Sequence, residues 1–126
     1  MPRILRWHAR RARGGKALRL LFVYIAEAHA ADTWPMGYSV QWPRPTSLAQ
    51  RCEYARAAAE GMGLEPAFRV VVVPMAGPFN RDFAPWPQGV YAVRAGRLAY
   101  IGEDTVMEGD RGCYNVKHLF NFCRDF

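Results

Sequence analysis

Two rhythms of apolar and polar positions run along this chain. Phe22, Val23, Tyr24 and Ile25 form an unbroken β-branched and aromatic run that predicts a buried strand. Side chains alternate along a strand, so Ile25, Glu27 and His29 are expected to share one face. Residues 30–46 then read as a loop, with Pro35, Pro43 and Pro45 among Trp34, Tyr38 and Trp42. Ser47–Gln50 is a capping-box pattern, and the alanine-rich stretch after it predicts a helix that stops near Gly61 and Gly63. Phe68–Val73 is a second apolar run, stopped by Pro74. Gly89–Val93 and Arg97–Ile101 predict a hairpin turning at Arg94, Ala95 and Gly96. Val116, Leu119, Phe120 and Cys123 mark one face of a last helix, with Asn115 as its N-cap.

A strand, a helix and a second strand of this character predict a right-handed parallel βαβ unit. With the hairpin and the last helix, the order becomes βαβ followed by ββα. It resembles the C-terminal bulk of a thioredoxin-like α/β fold, here lacking its first strand. That fold sets a proline in cis ahead of its third strand, and Pro87, between Trp86 and Gln88, stands in that place. An ordinary trans proline at a strand start is the alternative.

At 126 residues the chain is one small domain with room for a single core, and 51% hydrophobic against 22% charged residues is ordinary globular composition. The longest apolar stretches are too short to cross a bilayer, and no secretory signal is evident. Charge divides the chain into a basic segment, 1–19, and a domain, 20–126. Residues 1–19 hold seven of the 17 basic groups and no acid, while the rest balances ten against eleven. The net +6 is therefore a property of the N-terminal segment, which reads as a solvated basic helix face. Nucleic acid is not an expected partner, because no aromatic-interleaved binding pattern accompanies the charge. Cys52, Cys113 and Cys123 give neither a disulfide framework nor zinc spacing. They suit reduced thiols in a soluble intracellular protein.

The candidate chemistry sits where the first apolar run ends. Ligands of open α/β sheets bind at the carboxyl ends of strands. A carboxylate beside an imidazole can fix its tautomer and tune it near neutrality. Glu27 and His29 have that pairing, although the same two residues also suit a solvated lead into a loop.

Tyr24, Ile25, Ala26, Glu27, Ala28, His29, then Asp32, Thr33 and Trp34, resemble the signature of the iodothyronine deiodinases. There a strand ends in Tyr-Ile-Glu-Glu-Ala-His, followed by Asp-Gly-Trp. Thr46–Arg51 resembles the family's loop-to-helix segment ending in arginine. Phe83–Tyr91 resembles its Tyr-Ala-x-x-Pro-Glu-Arg-x-Tyr, and Gly96–Gly102 its Gly-Arg-Ile-x-Tyr-x-Gly. Tyr114 and Asn115 match a Tyr-Asn pair before the last helix. The similarity covers about residues 18–123.

The resemblance implies an oxidoreductase of thyroid hormone metabolism. A selenolate or thiolate removes iodine from an iodothyronine, and a thiol cosubstrate regenerates the enzyme, with no bound cofactor or metal. It gives His29 the phenolic oxygen or proton of the substrate, Glu27 the orientation of His29, and Asp32 and Trp34 the wall that receives an aromatic ring. Pro87 would lie beside the nucleophile. Animal relatives of the family are membrane-anchored. A chain lacking its first strand and the following helix exposes an edge and an apolar face, for which poor solubility or dimerisation is expected if residues 1–126 are the whole product. Four positions depart from the pattern: Ala26 and Thr33 in the signature, Pro45 where a second functional histidine is expected, and Pro74 where an aspartate often stands. No cysteine precedes Tyr24. The expectation is therefore an incomplete chain, begun at a methionine after a selenocysteine codon read as a stop, and inactive by itself. The alternatives are a nucleophile-free thioredoxin-like binding module, with Trp42 and Trp86 on a partner surface, and a thiol or peroxide redox enzyme of the same superfamily.

Overall fold

Arginine-rich sequence opens the structure as a helix, α1, over Arg3–Arg13. Leu5 on its apolar side is buried, and the ring Nε2 of His8 lies 2.8 Å from the Leu18 carbonyl oxygen. The Arg11 guanidinium stands 5.2 Å from the centre of the Trp7 ring. Gly14 and Gly15 end the helix rather than prevent it: Gly15 takes a φ of 73°, a conformation glycine adopts without strain. The computed structural model describes residues 3–15, 18–35, 37, 41–85, 89–102, 104–105, 113–114 and 116–125. These fall into two compact units, residues 1–82 and 83–126.

In the first unit, β1 (Leu20–Tyr24) and β2 (Phe68–Val72) pair in parallel, with Leu20 opposite Phe68 and Tyr24 opposite Val72. Between them runs α2, Leu48–Gly61. Its ends are the ones its sequence demands. Ser47 accepts a hydrogen bond from the Gln50 amide at 3.2 Å, while the Gln50 side chain accepts from the Thr46 amide at 2.9 Å. At the other end Leu64 N–H donates to Ala59 O and Gly63 N–H to Glu60 O, a Schellman closure with Gly63 at φ 60°. Leu64 and Ala59, the two residues such a closure brings together, are both buried. Helix α2 packs on β2.

The strands stop one residue short of the sequence expectation. The Val73 N–H donates to the Tyr24 carbonyl at 3.0 Å, and the Val73 carbonyl, which would take the next ladder bond, accepts from Arg51 Nη1 instead. Ile25, Glu27 and His29 therefore lie beyond the strand, so the expected alternation does not place them on one strand face. A short helix that the sequence pattern did not predict, α3, covers Phe79–Phe83.

In the second unit β3 (Tyr91–Arg94) and β4 (Arg97–Ile101) form the expected antiparallel hairpin, with a bulge between Ala92 and Val93. The hairpin begins at Tyr91 rather than Gly89. The Tyr91 ring folds back over Gly89, where a Cβ would come within 2.5 Å of it, and its hydroxyl donates to the Phe83 carbonyl. Two further short strands, β5 (Asp104–Thr105) and β6 (Cys113–Tyr114), pair antiparallel. The chain then enters α4 (Val116–Phe122) and a 3₁₀ turn, Cys123–Asp125. Tyr100 stacks on Phe122 at 4.9 Å between ring centres. Cys123 is buried as its helix face predicts, and Cys52 is a free thiol. The expected cap Asn115, and Trp86 and Pro87, lie outside the described residues. The order βαβ then ββα is that of a thioredoxin-like α/β fold. No helix among the described residues is long and apolar enough to cross a membrane.

The hairpin turn carries a correctable strain. Both of its central residues have positive φ, 50° at Ala95 and 73° at Gly96, as a two-residue type I′ turn requires. Alanine pays a Cβ clash there that asparagine largely escapes. Ala95→Asn is expected to stabilise the protein by about 0.5–1 kcal/mol, read as a higher melting temperature. An unchanged or lower value would show that the turn is relaxed as it stands.

Candidate functional site

The site grows from the carboxyl end of β1, where the ladder runs out and the chain needs other partners. Ala30 is the buried pivot of the loop. Its carbonyl accepts from Thr33 and Trp34 N–H at 3.0 Å each, and the Ala31 N–H donates to the Trp42 carbonyl at 2.9 Å. This tight turn brings the His29 and Trp34 rings to 4.7 Å between centres, tilted by 60°. Trp34 is 60% exposed. One of its faces is thus engaged by the imidazole while most of the indole remains open to a ligand.

Asp32 ties its own loop together. Its Oδ1 accepts the Arg44 backbone N–H at 2.8 Å and the Thr33 hydroxyl at 3.3 Å, which pins the two sides of the loop together. The Arg44 N–H, first of all, holds this carboxyl below its usual range. Its contribution to the loop is present above the ordinary carboxylate range and is lost as pH falls through the lowered value. Trp42 is engaged within the fold. It is half-buried and stacked on Tyr54 of α2 at 4.9 Å, with the planes 12° apart, so it is not a free partner surface. The Tyr54 hydroxyl in turn accepts from Gln50 Nε2 at 2.9 Å.

Behind the loop lies a polar cluster. Both Glu27 carboxylate oxygens are buried without a well-formed hydrogen bond among the described residues, and the Tyr24 hydroxyl lies beside them. Burial, first, and then the Glu27 carboxylate push the Tyr24 phenol far above the ordinary tyrosine range, with Arg51 acting in the opposite sense. Arg51, 5% exposed, donates from Nη1 to the carbonyls of Val73 and Pro74 at 2.9 and 3.1 Å. Sequence reasoning singled out neither residue for a role. Tyr24 read as strand filling, and the signal for Arg51 was only its place at the end of the Thr46–Arg51 segment.

The raised Tyr24 phenol has a signed consequence. A folded-state value above the unfolded one stabilises the protein in full below about pH 10, the ordinary tyrosine value, and that contribution is lost as pH climbs beyond it. Tyr24→Phe is therefore expected to flatten the fall in melting temperature above pH 10. Parallel wild-type and variant curves would show that this hydroxyl does not drive alkaline unfolding.

A family model described as iodothyronine deiodinase matches residues 15–119. The chain belongs to the iodothyronine deiodinase family. It is 35% identical over 85 residues to a type II iodothyronine deiodinase of Petromyzon marinus, covering 65% of this chain and 28% of that protein. It is 30% identical over 83 residues to a type I iodothyronine deiodinase of Xenopus laevis, covering 66% and 32%. The chain thus spans about a third of the length of these curated relatives. The deiodinase match encloses the whole loop from Tyr24 to Arg51. Of the residues expected to serve the reaction, Glu27, His29, Asp32 and Trp34 fall on or beside that loop, while Pro87 lies outside the described residues. Among the described residues no three His, Cys, Asp or Glu side chains stand together as a metal site.

Proposed function

We propose that the protein carrying this chain reductively deiodinates iodothyronines, in the manner of a thyroxine 5′-deiodinase, with a thiol as reductant. The observation that supports this most directly is the His29–Trp34 pair, an imidazole tilted against a largely open indole, inside a family match that covers most of the chain. The iodinated ring stacks on the open face of Trp34. His29 hydrogen-bonds the phenolic oxygen and passes the proton that replaces iodine at carbon. Glu27 orients the imidazole. Overall, iodide leaves, carbon gains a proton, and two thiols surrender two electrons as a disulfide. The attacking selenolate or thiolate is proposed to lie on polypeptide outside residues 1–126, and Pro87 to lie next to it.

A second reading, a thiol or peroxide redox enzyme of the same superfamily, is favoured by one observation. Pro45, standing where the family resemblance places a second histidine, is a buried proline with no polar side chain to offer a phenol.

Titration of the 126-residue polypeptide with an iodinated phenol such as diiodotyrosine separates these readings without needing turnover. Saturable quenching of tryptophan fluorescence is expected. Trp34→Leu should weaken binding roughly fivefold, as loss of a stacking contact worth about 1 kcal/mol predicts. A folded polypeptide whose fluorescence does not respond would count against the deiodinase reading.

A further inference from the structure

Arginine is a costly choice for an interior position, and Arg51 uses only part of its donor set on the two carbonyls that hold it. Those carbonyls belong to Val73 and Pro74, immediately after β2, and Val73 is itself bonded to the Tyr24 carbonyl at the end of β1. The guanidinium therefore sits over the carboxyl ends of both parallel strands, where the Glu27 loop departs. Its Nε–H is buried and finds no hydrogen-bond partner among the described residues. The same is true of both Glu27 carboxylate oxygens. Arg51 and Glu27 form no direct ion pair, yet each acts on the Tyr24 hydroxyl.

A buried N–H of a cation and buried oxygens of an anion, each without a well-formed hydrogen bond, cost more than neutral orphans do. Proteins resolve such neighbours with an ordered water when the surroundings are polar enough to hold one. Here the surroundings are Tyr24 from β1, Arg51 and Tyr54 from α2, and Glu27 from the loop. We propose that Arg51 is a positioning residue for Glu27, joined to it by an ordered water that accepts from the Arg51 Nε–H and donates to a Glu27 oxygen. The proposal rests on the reading of Glu27 as the partner that orients His29. Arginine serves because its planar fork sends Nη1 to the carbonyls while Nε points elsewhere. A lysine ammonium would keep the charge and the carbonyl contacts but not both directions.

Arg51→Lys tells positioning from mere structural support. Positioning predicts a melting temperature near that of the wild type. In the complete protein it also predicts a kcat for iodide release from thyroxine, with dithiothreitol as reductant, lowered about tenfold at unchanged KM, and a displaced acid limb of the pH–rate profile. Full kcat with an unmoved profile overturns the proposal. A high-resolution crystal structure of the 126-residue polypeptide decides the matter independently of activity and of how Arg51→Lys folds. Density for a water within hydrogen-bond distance of both Arg51 Nε and a Glu27 oxygen supports the proposal. Direct contact between the two side chains, or Glu27 turned to solvent, overturns it even where deiodination is observed. If the water is present and thyroxine is not a substrate, the substrate reading falls and the Arg51–Glu27 link stands.

Discussion

Replacing Arg51 with methionine is expected to destabilise the protein by about 2–3 kcal/mol, more than any other single change on α2. Methionine keeps much of the volume and the flexible stem, so the experiment isolates the lost polar contacts. Two carbonyls now served by Nη1, those of Val73 and Pro74, would be left without that donor at the edge of the core. Each unsatisfied buried acceptor costs about 1–3 kcal/mol, and relief from burying a charge offsets part of the sum. For a chain of this size the change is on the order of a 10 °C fall in melting temperature. Urea unfolding should show a lower midpoint with an unchanged slope. A variant within about 0.5 kcal/mol of the wild type, the range of an ordinary surface substitution, would mean the two carbonyls find other donors and the clamp is dispensable.

His29→Ala carries the largest expected effect on activity. In the complete protein, kcat/KM for deiodination should fall by about 10²–10³, the range for removing a positioned proton-transfer group. Glu27→Gln should fall by less, about tenfold to a hundredfold, because it acts through the imidazole rather than on the substrate. The two losses should not multiply in the double variant, since residues that work as a unit are not additive. Iodide release measured across the set checks all three statements. A His29→Ala protein that keeps its rate would remove the loop from the reaction altogether.

The parts of this molecule legible in its sequence are those that local chemistry decides. Ser47, Gln50 and Gly63 announce both ends of α2 because caps are satisfied within a few residues. The hairpin at Ala95–Gly96 is equally local. The two parallel strands were readable as apolar runs, but the end of β1 was not. It is set on the other strand and by the helix, where the Val73 carbonyl that would take the next ladder bond accepts from Arg51 Nη1 instead. The candidate residues after the strand were named from the sequence, but the shared strand face expected of Ile25, Glu27 and His29 is not there. Asp32 shows the same limit: its bond to the far side of its own loop depends on Arg44, twelve residues on, and no local pattern announces it. Arg51 was least legible of all. An arginine on an alanine-rich helix looks like a solvated charge until the tertiary structure buries it.

The parallel pairing of β1 with β2 also governs the order in which this protein assembles. Leu20 meets Phe68 only after the intervening chain has closed into a long loop, an entropic toll that grows with loop length and must be met before the first strand-to-strand bond rewards it. The hairpin, with its two-residue turn, and α2, with its own caps, face no such delay and can form on the microsecond scale. The Arg51 clamp needs α2 and the end of β2 together, and the Tyr24–Glu27 cluster needs β1 as well. The reactive corner of the molecule is thus a late product of folding, absent from any partly folded ensemble that already shows nearly full helix.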